Sequence, residues 1–297
     1  MSSQIRIVKE KLNLAITQLC ETSWMFVKNP NRDFTRERKL PLREVISILL
    51  CMEGGSLTGE LLRYFRCSRY SPSGSAFIQQ RQKINEFAFP SLFSLFVKHT
   101  DKDRLYKGYR LLAADGSDIQ IPTDSKHTAS YFHGTNGQAP YNLLHLDAIY
   151  DLRQHTYLDA QVCGRRNSDE RGALCKMVDR SDIETSFRKL KYTVGLLHFH
   201  AKKVENITQE IYARLIMYNF SELITSHVVI QKFKTKHPCK ANFSVAVQVC
   251  RQFLLGNVSP PDVEAAIGKN LSAIRSGRSN PRNTVVKHAV SFLYRVA

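Results

Sequence analysis

Two acidic residues in distant parts of this chain have the surroundings of metal-binding carboxylates. Asp115 ends a short apolar run of strand-like sequence, the position from which a sheet presents a carboxylate to a metal ion. Glu184 lies in the helical pattern 183–191, in which Arg188 and Lys191 follow it along the same face. Carboxylate oxygens suit hard cations such as Mg²⁺, and basic side chains suit phosphate. Together these residues predict a phosphoryl-transfer site for nucleic acid.

The elements that must position these acids alternate in period along the chain. Three β-rich runs of period two predict an antiparallel meander, at 109–121, 141–150 and 156–163. A helical pattern at 169–178 then leads into the helix of Glu184. Three strands followed by helices, with one acid on the first strand and another on a late helix, match a ribonuclease-H-like layout. In that layout two Mg²⁺ ions between carboxylates support in-line attack on a phosphodiester.

The sequence before the strands is helical. Apolar residues at helical spacing predict helices over 4–20, 42–52, 56–65 and 75–87. Between them, Arg63, Arg66 and Arg69 alternate with aromatic and hydroxyl side chains, a chemistry that binds phosphates and stacks on bases. We predict a DNA-contacting region here; the alternative is a solvated helix surface with ordinary core aromatics. Helical patterns return at 209–227 and 242–255, before a basic segment at the end.

Composition limits the class of protein. The 297 residues carry 43 Lys and Arg against 26 Asp and Glu, a net charge of +17 that favours a polyanionic partner such as DNA or RNA over a merely basic protein. Seven scattered cysteines lack zinc-site spacing and are typical of buried thiols in a reducing compartment. No signal-like or membrane-spanning apolar run is present, so the sequence predicts a cytoplasmic, nucleoid-associated protein without a membrane partner.

Three segments carry a resemblance to a known family. They are Ala-Asp-Gly-Ser-Asp at 114–118, Tyr-Asn-Leu-Leu-His-Leu-Asp-Ala-Ile-Tyr-Asp at 141–151, and Ile-Glu-Thr-Ser-Phe-Arg-Lys-Leu-Lys at 183–191. The chain resembles bacterial insertion-sequence transposases of the DDE type, in the IS-four group. That group has a signature of Tyr, Arg, Glu and Lys on its catalytic helix, and Glu184 and Lys191 match the second half of it.

The chain also departs from that family pattern. The second catalytic Asp of the family, and the β-rich insertion after it with the signature Tyr and Arg, have no counterpart before Glu184, which indicates an internal deletion. The resemblance implies that Asp115 and Glu184 are catalytic and hold Mg²⁺ (or Mn²⁺), bound weakly because one ligand is missing. Asp118 and Asp147 are candidate substitute carboxylates, Asp147 by lying opposite Asp115; the alternative for Asp147 is a strand acid that faces water.

The resemblance implies an architecture and a function. The fold is expected to be α/β (α+β): a helical DNA-binding region at 1–105, a truncated ribonuclease-H-like core at 106–255, and a basic segment at 256–297. The expected function is metal-dependent DNA cleavage and strand transfer at the terminal inverted repeats of an element, catalytically impaired in this copy. The rival is a non-catalytic DNA-binding remnant or regulator, acting as a homodimer or with full-length transposase; a general nucleic-acid-binding protein is a third.

Two basic residues of the catalytic helix have more than one interpretation. In the family, the Lys at the place of Lys191 and its basic neighbours contact DNA near the cleaved strand. This implies that Lys191 and Arg188 bind phosphate. For Arg188, pairing with Glu184 one helical turn away is an equal alternative.

Overall fold

A computed structural model describes residues 2–36, 39–102, 105–134, 137, 139–167, 187, 189–196, 198–230 and 238–274. The N-terminal third is a group of helices: α1 (Ser2–Glu21), α2 (Leu42–Cys51), α3 (Leu57–Tyr64), α4 (Gly74–Arg81) and α5 (Ala88–Thr100). The apolar stripe of α1 explains its docking, since Ile5, Leu12 and Leu19 are fully buried. Ser56 and Ser73 cap α3 and α4 by accepting backbone N–H groups.

The middle of the chain forms one antiparallel sheet. Its strands are β1 (Leu112–Ile121), the two-residue β2 (Tyr131–Phe132), β3 (Tyr141–Asp151) and β4 (Thr156–Gly164). β3 pairs with the other three, so β1 and β4 lie on either side of it. Even-numbered residues of β3 face the core, and their partners on β1 are the odd-numbered ones. This register decides which side of the sheet each acid of β1 and β3 occupies.

Helices return after the sheet. A π-helical turn (Lys189–Val194) precedes the long helix α6 (Val204–His227), and then come β5 (Cys239–Ala241), α7 (Phe243–Leu254), α8 (Pro260–Lys269) and β6 (Leu271–Ala273). α6 packs against α1, α2, α5, α7 and β4. It is buried on nearly every side, which only a helix at the centre of a domain tolerates. The buried side chains of helices and sheet form one continuous cluster around it.

Most elements agree with the sequence-based expectations. The α+β class is confirmed, as are the helices at 4–20, 42–52 and 56–65 and the three-stranded meander. The helix expected at 75–87 ends earlier, at Arg81, and a separate helix α5 follows it. The helix at 169–178 and most of 183–191 lie outside the described residues. The domain boundaries at 105 and 255 stay a prediction.

Two further expectations concern cysteines and membranes. None of the six cysteines that the structure describes forms a disulfide. Cys250 is buried and four others are partly buried, but Cys67 is exposed, so the expectation of buried thiols is wrong at that position. Among the helices described, none combines the length and apolarity needed to cross a bilayer.

A buried ion pair joins the N-terminal helices to α6. Arg81, at the end of α4, donates to Glu210 of α6 at 2.7 Å, and both side chains are almost fully buried. The same guanidinium donates to the side-chain oxygen of Gln209 at 3.0 Å and to the carbonyl of Asn206, so each of its three nitrogen atoms donates a hydrogen bond. The backbone N–H of His200 donates to the second oxygen of Glu210 at 3.0 Å. Both charges are therefore paired and hydrogen-bonded, the condition under which burial is tolerated.

Arg214, one helical turn along α6, binds the end of another helix. Its guanidinium donates to the carbonyls of Met52 at 2.7 Å and Glu53 at 3.1 Å, which follow α2. A cation at a helix C-terminus satisfies free carbonyls and complements the helix dipole. Burial lowers the pKa of Arg214 to about 10 against the attraction of Glu210, so the group is still charged at neutral pH. α6 therefore fixes α2 and α4 through charges as well as through packing.

We predict that Glu210→Gln destabilises the protein by about 3–5 kcal/mol, because it leaves the Arg81 charge buried without a counter-ion. Urea unfolding followed by circular dichroism measures the change. Glu10→Gln, which breaks the exposed pair of Glu10 with Arg6, is the matched control and is expected to change stability by less than about 1 kcal/mol. Equal effects of the two substitutions would contradict the role given to the buried pair.

The same carboxylate predicts a dependence of stability on pH. Burial alone would raise the pKa of Glu210, but the charge of Arg81 and the neighbouring side chain of His200 outweigh it and hold the pKa at about 2, against an ordinary value of 4.5. A lowered pKa in the folded state contributes stability above pH 4.5, and that contribution is lost as the pH falls towards 2. We expect the unfolding free energy of the wild type to fall through this window more steeply than that of Glu210→Gln. Parallel profiles would refute this assignment.

Candidate active site

Asp115 lies in the middle of β1, on the face of the sheet that points to the core. It pairs with Ala148 of β3, and Ile119, two positions beyond Ser117 on the same face, is fully buried. One carboxylate oxygen of Asp115 accepts the backbone N–H of Gly116 at 2.8 Å. The side chain itself is only partly buried. An acid held by its own strand and open on one side can accept a further cationic partner.

Lys191 supplies a cation beside this acid. It lies on the π-helical turn, and its ammonium group donates to the hydroxyl of Ser117 at 2.5 Å, two residues from Asp115 on the same face. Burial lowers the pKa of Lys191, while the charges of Asp118 and Asp115 oppose that shift. The predicted phosphate-binding lysine and the predicted catalytic aspartate are therefore brought to one place on the first strand.

Buried side chains, an ion pair and a hydrogen bond fix the turn that carries Lys191. Leu190 and Val194 are buried completely. Lys189 pairs with Glu222 of α6, and Arg251 of α7 donates to the carbonyl of Val194 at 3.0 Å. Contacts on both sides of Lys191 thus come from helices α6 and α7, so the position of its ammonium group depends on the helical core.

Glu184 and Arg188 lie outside the described residues. Their roles as catalytic acid and DNA-contacting base stay predictions. Within the described ranges, no group of three or more His, Cys, Asp or Glu side chains is arranged to hold a metal ion. The metal assignment to Asp115 and Glu184 likewise stays a prediction.

The register corrects the expectation for Asp147. Asp147 pairs with Gly116, one residue away from the predicted partner Asp115, so the two acids point to opposite faces of the sheet. Asp118 also lies on the face away from Asp115, three positions along β1. The structure does not bring either candidate substitute carboxylate to the face of Asp115 and Ser117.

These two acids instead form a cluster around a histidine. His145 of β3 is buried, and its Nδ1 lies 2.6 Å from Asp118 and its Nε2 lies 3.1 Å from Asp147. Arg165, just after β4, lies 3.0 Å from Asp118. Each ring nitrogen of His145 therefore lies within hydrogen-bond distance of one carboxylate. The cluster ties β1 to β3 behind the candidate site.

Sequence reasoning did not find His145. The signal was available in the order His-x-Asp within β3, since residues two apart on a strand share a face. Its second partner, Asp118, depends on the register between β1 and β3, which the sequence does not specify residue by residue.

The three arginines of the N-terminal region have different surroundings. Arg63 pairs with Glu53 at 2.8 Å and lies 3.5 Å from Glu60. Arg66 donates to the side chain of Asn257, which belongs to the segment between α7 and α8. Arg69 stacks on the exposed ring of Tyr70, with 4.8 Å from its guanidinium carbon to the ring centroid. The predicted DNA contacts of these arginines stay predictions, and Arg69 has the surroundings closest to a stacking site.

Comparison with known families locates one match. A family model described as "Transposase DDE domain" matches residues 176–220. These 45 of the 297 residues include the position of Glu184, the turn that carries Lys191 and the first part of α6. No curated protein and no solved structure matches the chain.

We predict that Gly116→Ala destabilises the sheet by about 1–3 kcal/mol, because the added methyl carbon would lie 2.4 Å from Nε2 of His145. Gly268→Ala, at a helical glycine of α8 with space around it, is the control and is expected to be neutral or stabilising. In a double-mutant cycle, His145→Ala should relieve part of the cost of Gly116→Ala. Strict additivity of the two changes in urea unfolding would contradict this close packing.

Proposed function

We propose that this chain is a transposase-family protein that acts on DNA by metal-dependent phosphoryl transfer. One observation carries the proposal: Lys191, inside the segment that matches the transposase DDE domain, contacts β1 beside Asp115. The sheet of three antiparallel strands followed by helices agrees with a ribonuclease-H-like core. The internal deletion and the membership of the IS-four group belong to this proposal. Both rest on the sequence resemblance.

The donor set fits one divalent ion better than two. Asp115 with Glu184 would hold it, and Mg²⁺ is commonly bound by one or two carboxylates completed by water and substrate phosphate. When bound, the ion would lower the pKa of an attacking water or hydroxyl and stabilise the leaving oxygen. A second ion would need a further carboxylate on this face. Asp118 and Asp147 do not provide one, since they contact His145 on the opposite face.

Lys191 contributes phosphate binding in this proposal. Its ammonium group is partly buried and donates to a neutral hydroxyl, so it can exchange that bond for one to a phosphate oxygen. Burial disfavours its charge, and an arriving phosphate restores the favourable interaction. Ser117 orients the ammonium group until the DNA binds. Asp115, two residues away, would then lie next to the bound phosphodiester.

A second candidate function is a non-catalytic DNA-binding remnant or regulator of transposition. The observation that favours it is the engagement of Asp118 and Asp147 with His145, which leaves Asp115 without a neighbouring carboxylate on its face among the described residues. In either role the proposed partner is DNA, at the terminal inverted repeats of an element. The proposed assembly is a homodimer or a dimer with full-length transposase, in the cytoplasm near the nucleoid.

A cleavage assay on terminal-repeat DNA with Mg²⁺ or Mn²⁺ separates these two functions. The enzyme predicts metal-dependent strand cleavage that Asp115→Asn or Glu184→Gln lowers by orders of magnitude. Asp159→Asn, at an exposed carboxylate of β4, is the matched control and should leave cleavage unchanged. Cleavage that survives both active-site substitutions would refute the assignment of the site.

Binding without cleavage would support the remnant. In that case affinity should fall steeply with salt, and Lys191→Met should reduce the slope of log K against log salt by about one. The exposed Lys269→Met is the control for a general loss of charge. A chain that binds the DNA neither specifically nor with a salt dependence would contradict both functions.

A further inference from the structure

The segment just before β1 forms an exposed aromatic hairpin. Tyr106 and Tyr109 exchange two backbone hydrogen bonds, of 2.7 and 3.0 Å, across the two residues Lys107 and Gly108. Both tyrosines are exposed to solvent, Tyr106 with 47% and Tyr109 with 74% of its surface. A pair of residues that exchanges both bonds has its side chains on the same face, about 5.5 Å apart at the backbone. Both phenol rings are therefore exposed to solvent on one face of the hairpin.

The turn of this hairpin is strained at a basic residue. Lys107 has φ of 50° and Gly108 has φ of 84°, the pattern of a type I′ turn, which favours Asn or Gly at the first position. A lysine pays a conformational penalty there. Its ammonium group lies 5.5 Å from the centre of the Tyr106 ring. The sequence thus places a cation at the tip, next to an exposed ring, at a position where Asn would be more stable.

The base of the hairpin is rigid. Arg110 donates to Asp151 at 2.9 Å and to both oxygens of Asp101, and these bonds raise its pKa further, those to Asp101 most strongly. Asp151 also accepts the backbone N–H groups of Arg153 at 2.8 Å and Gln154 at 2.7 Å. Arg110 therefore pairs with both Asp101 and Asp151 and offsets one of their two negative charges. The β3–β4 turn, which these bonds fix, presents the exposed side chain of Arg153.

We propose that Tyr106 and Tyr109 form a stacking site for unpaired DNA bases, with Lys107 and Arg153 on the flanking phosphates. Exposed rings stack on any base, and nearby cations follow the backbone, which is the general chemistry of single-strand binding. Tyr109 and Asp115 are six positions apart, at most about 20 Å, so bases held here would belong to DNA that also reaches the candidate active site. The inference rests on the proposed DNA function and adds a substrate feature to it: strands that are unpaired near the site.

The test measures binding of a fluorescein-labelled oligo-dT of 20 nucleotides, and of a duplex of equal length, by fluorescence anisotropy. Replacing both tyrosines by Ala should weaken single-strand binding on the order of tenfold or more per ring, with a much smaller effect on the duplex. Replacing both by Phe should retain binding, because the stacking surface is kept. Phe87→Ala is the matched control and should have no effect. Phe87 is an aromatic residue of comparable exposure that immediately precedes the N-terminus of α5.

The turn offers a variant that does not threaten folding. Lys107→Asn places the favoured residue at the strained position, so the hairpin should be at least as stable in urea unfolding. The slope of log K against log salt for single-strand binding should nevertheless fall by about 0.7, the loss of one phosphate contact. Lys269→Asn is the control for a lost charge elsewhere.

Three results would overturn the inference. Unchanged single-strand binding by the double Ala variant would refute the stacking site while leaving the proposed DNA function intact. A changed sedimentation coefficient with unchanged DNA binding would assign the tyrosines to a protein interface. If the wild type bound neither form of DNA, the proposed function would fall together with this inference.

Discussion

The architecture depends on burying Glu210 with its counter-ion. α6 passes through the centre of the protein, and an unpaired carboxylate there would cost several kcal/mol, by the general penalty for isolated buried charge. Arg81 meets that requirement from α4, and Arg214 of the same helix binds the carbonyls that follow α2 at Met52 and Glu53. Charge pairing therefore fixes α4 and the end of α2 against α6, while α1 and α5 contact it without such pairs among the ion pairs described. Apolar packing alone would tolerate several arrangements, because hydrophobic contact is not directional.

The candidate site also depends on α6, through the turn that carries Lys191 and through the sheet. Lys189 pairs with Glu222 of α6, and Leu190 and Val194 pack into the core, so the turn between them presents Lys191 towards β1. Asn219 of α6 binds both backbone groups of Tyr157 in β4, with bonds of 2.8 Å, at a bulge in the pairing with β3. Both the sheet and the turn that carries Lys191 are therefore held in position by contacts with α6. A disturbance in the centre of α6 should reach the site without touching it.

Periodicity predicted most of the long elements, although it merged the end of α4 with the start of the next helix and did not predict α5; it did not predict the strand register. Apolar spacing located α1, α2 and the three long strands, since each buries a face whose period the sequence shows. The pairing of β1 with β3 is set by contacts between strands, and an error of one residue moves a side chain to the other face. The prediction that Asp147 lies opposite Asp115 was off by one residue in this way, because Asp147 pairs with Gly116. The unpredicted register also hid His145, whose role depends on the absence of a side chain at Gly116.

The position of Lys191 in the fold supports the resemblance, because it lies close to the acid with which the resemblance associates it. A family match over 176–220 does not by itself say where that segment packs in the fold. In the structure, the turn inside that segment packs against α6 and α7, and its lysine hydrogen-bonds to Ser117, two residues from the predicted catalytic acid Asp115. A strand acid and a basic turn separated by 76 positions meet on one face of the sheet. That placement supports the proposed phosphoryl-transfer site, because a cation for the phosphate and a carboxylate for a metal ion would be in position before substrate arrives.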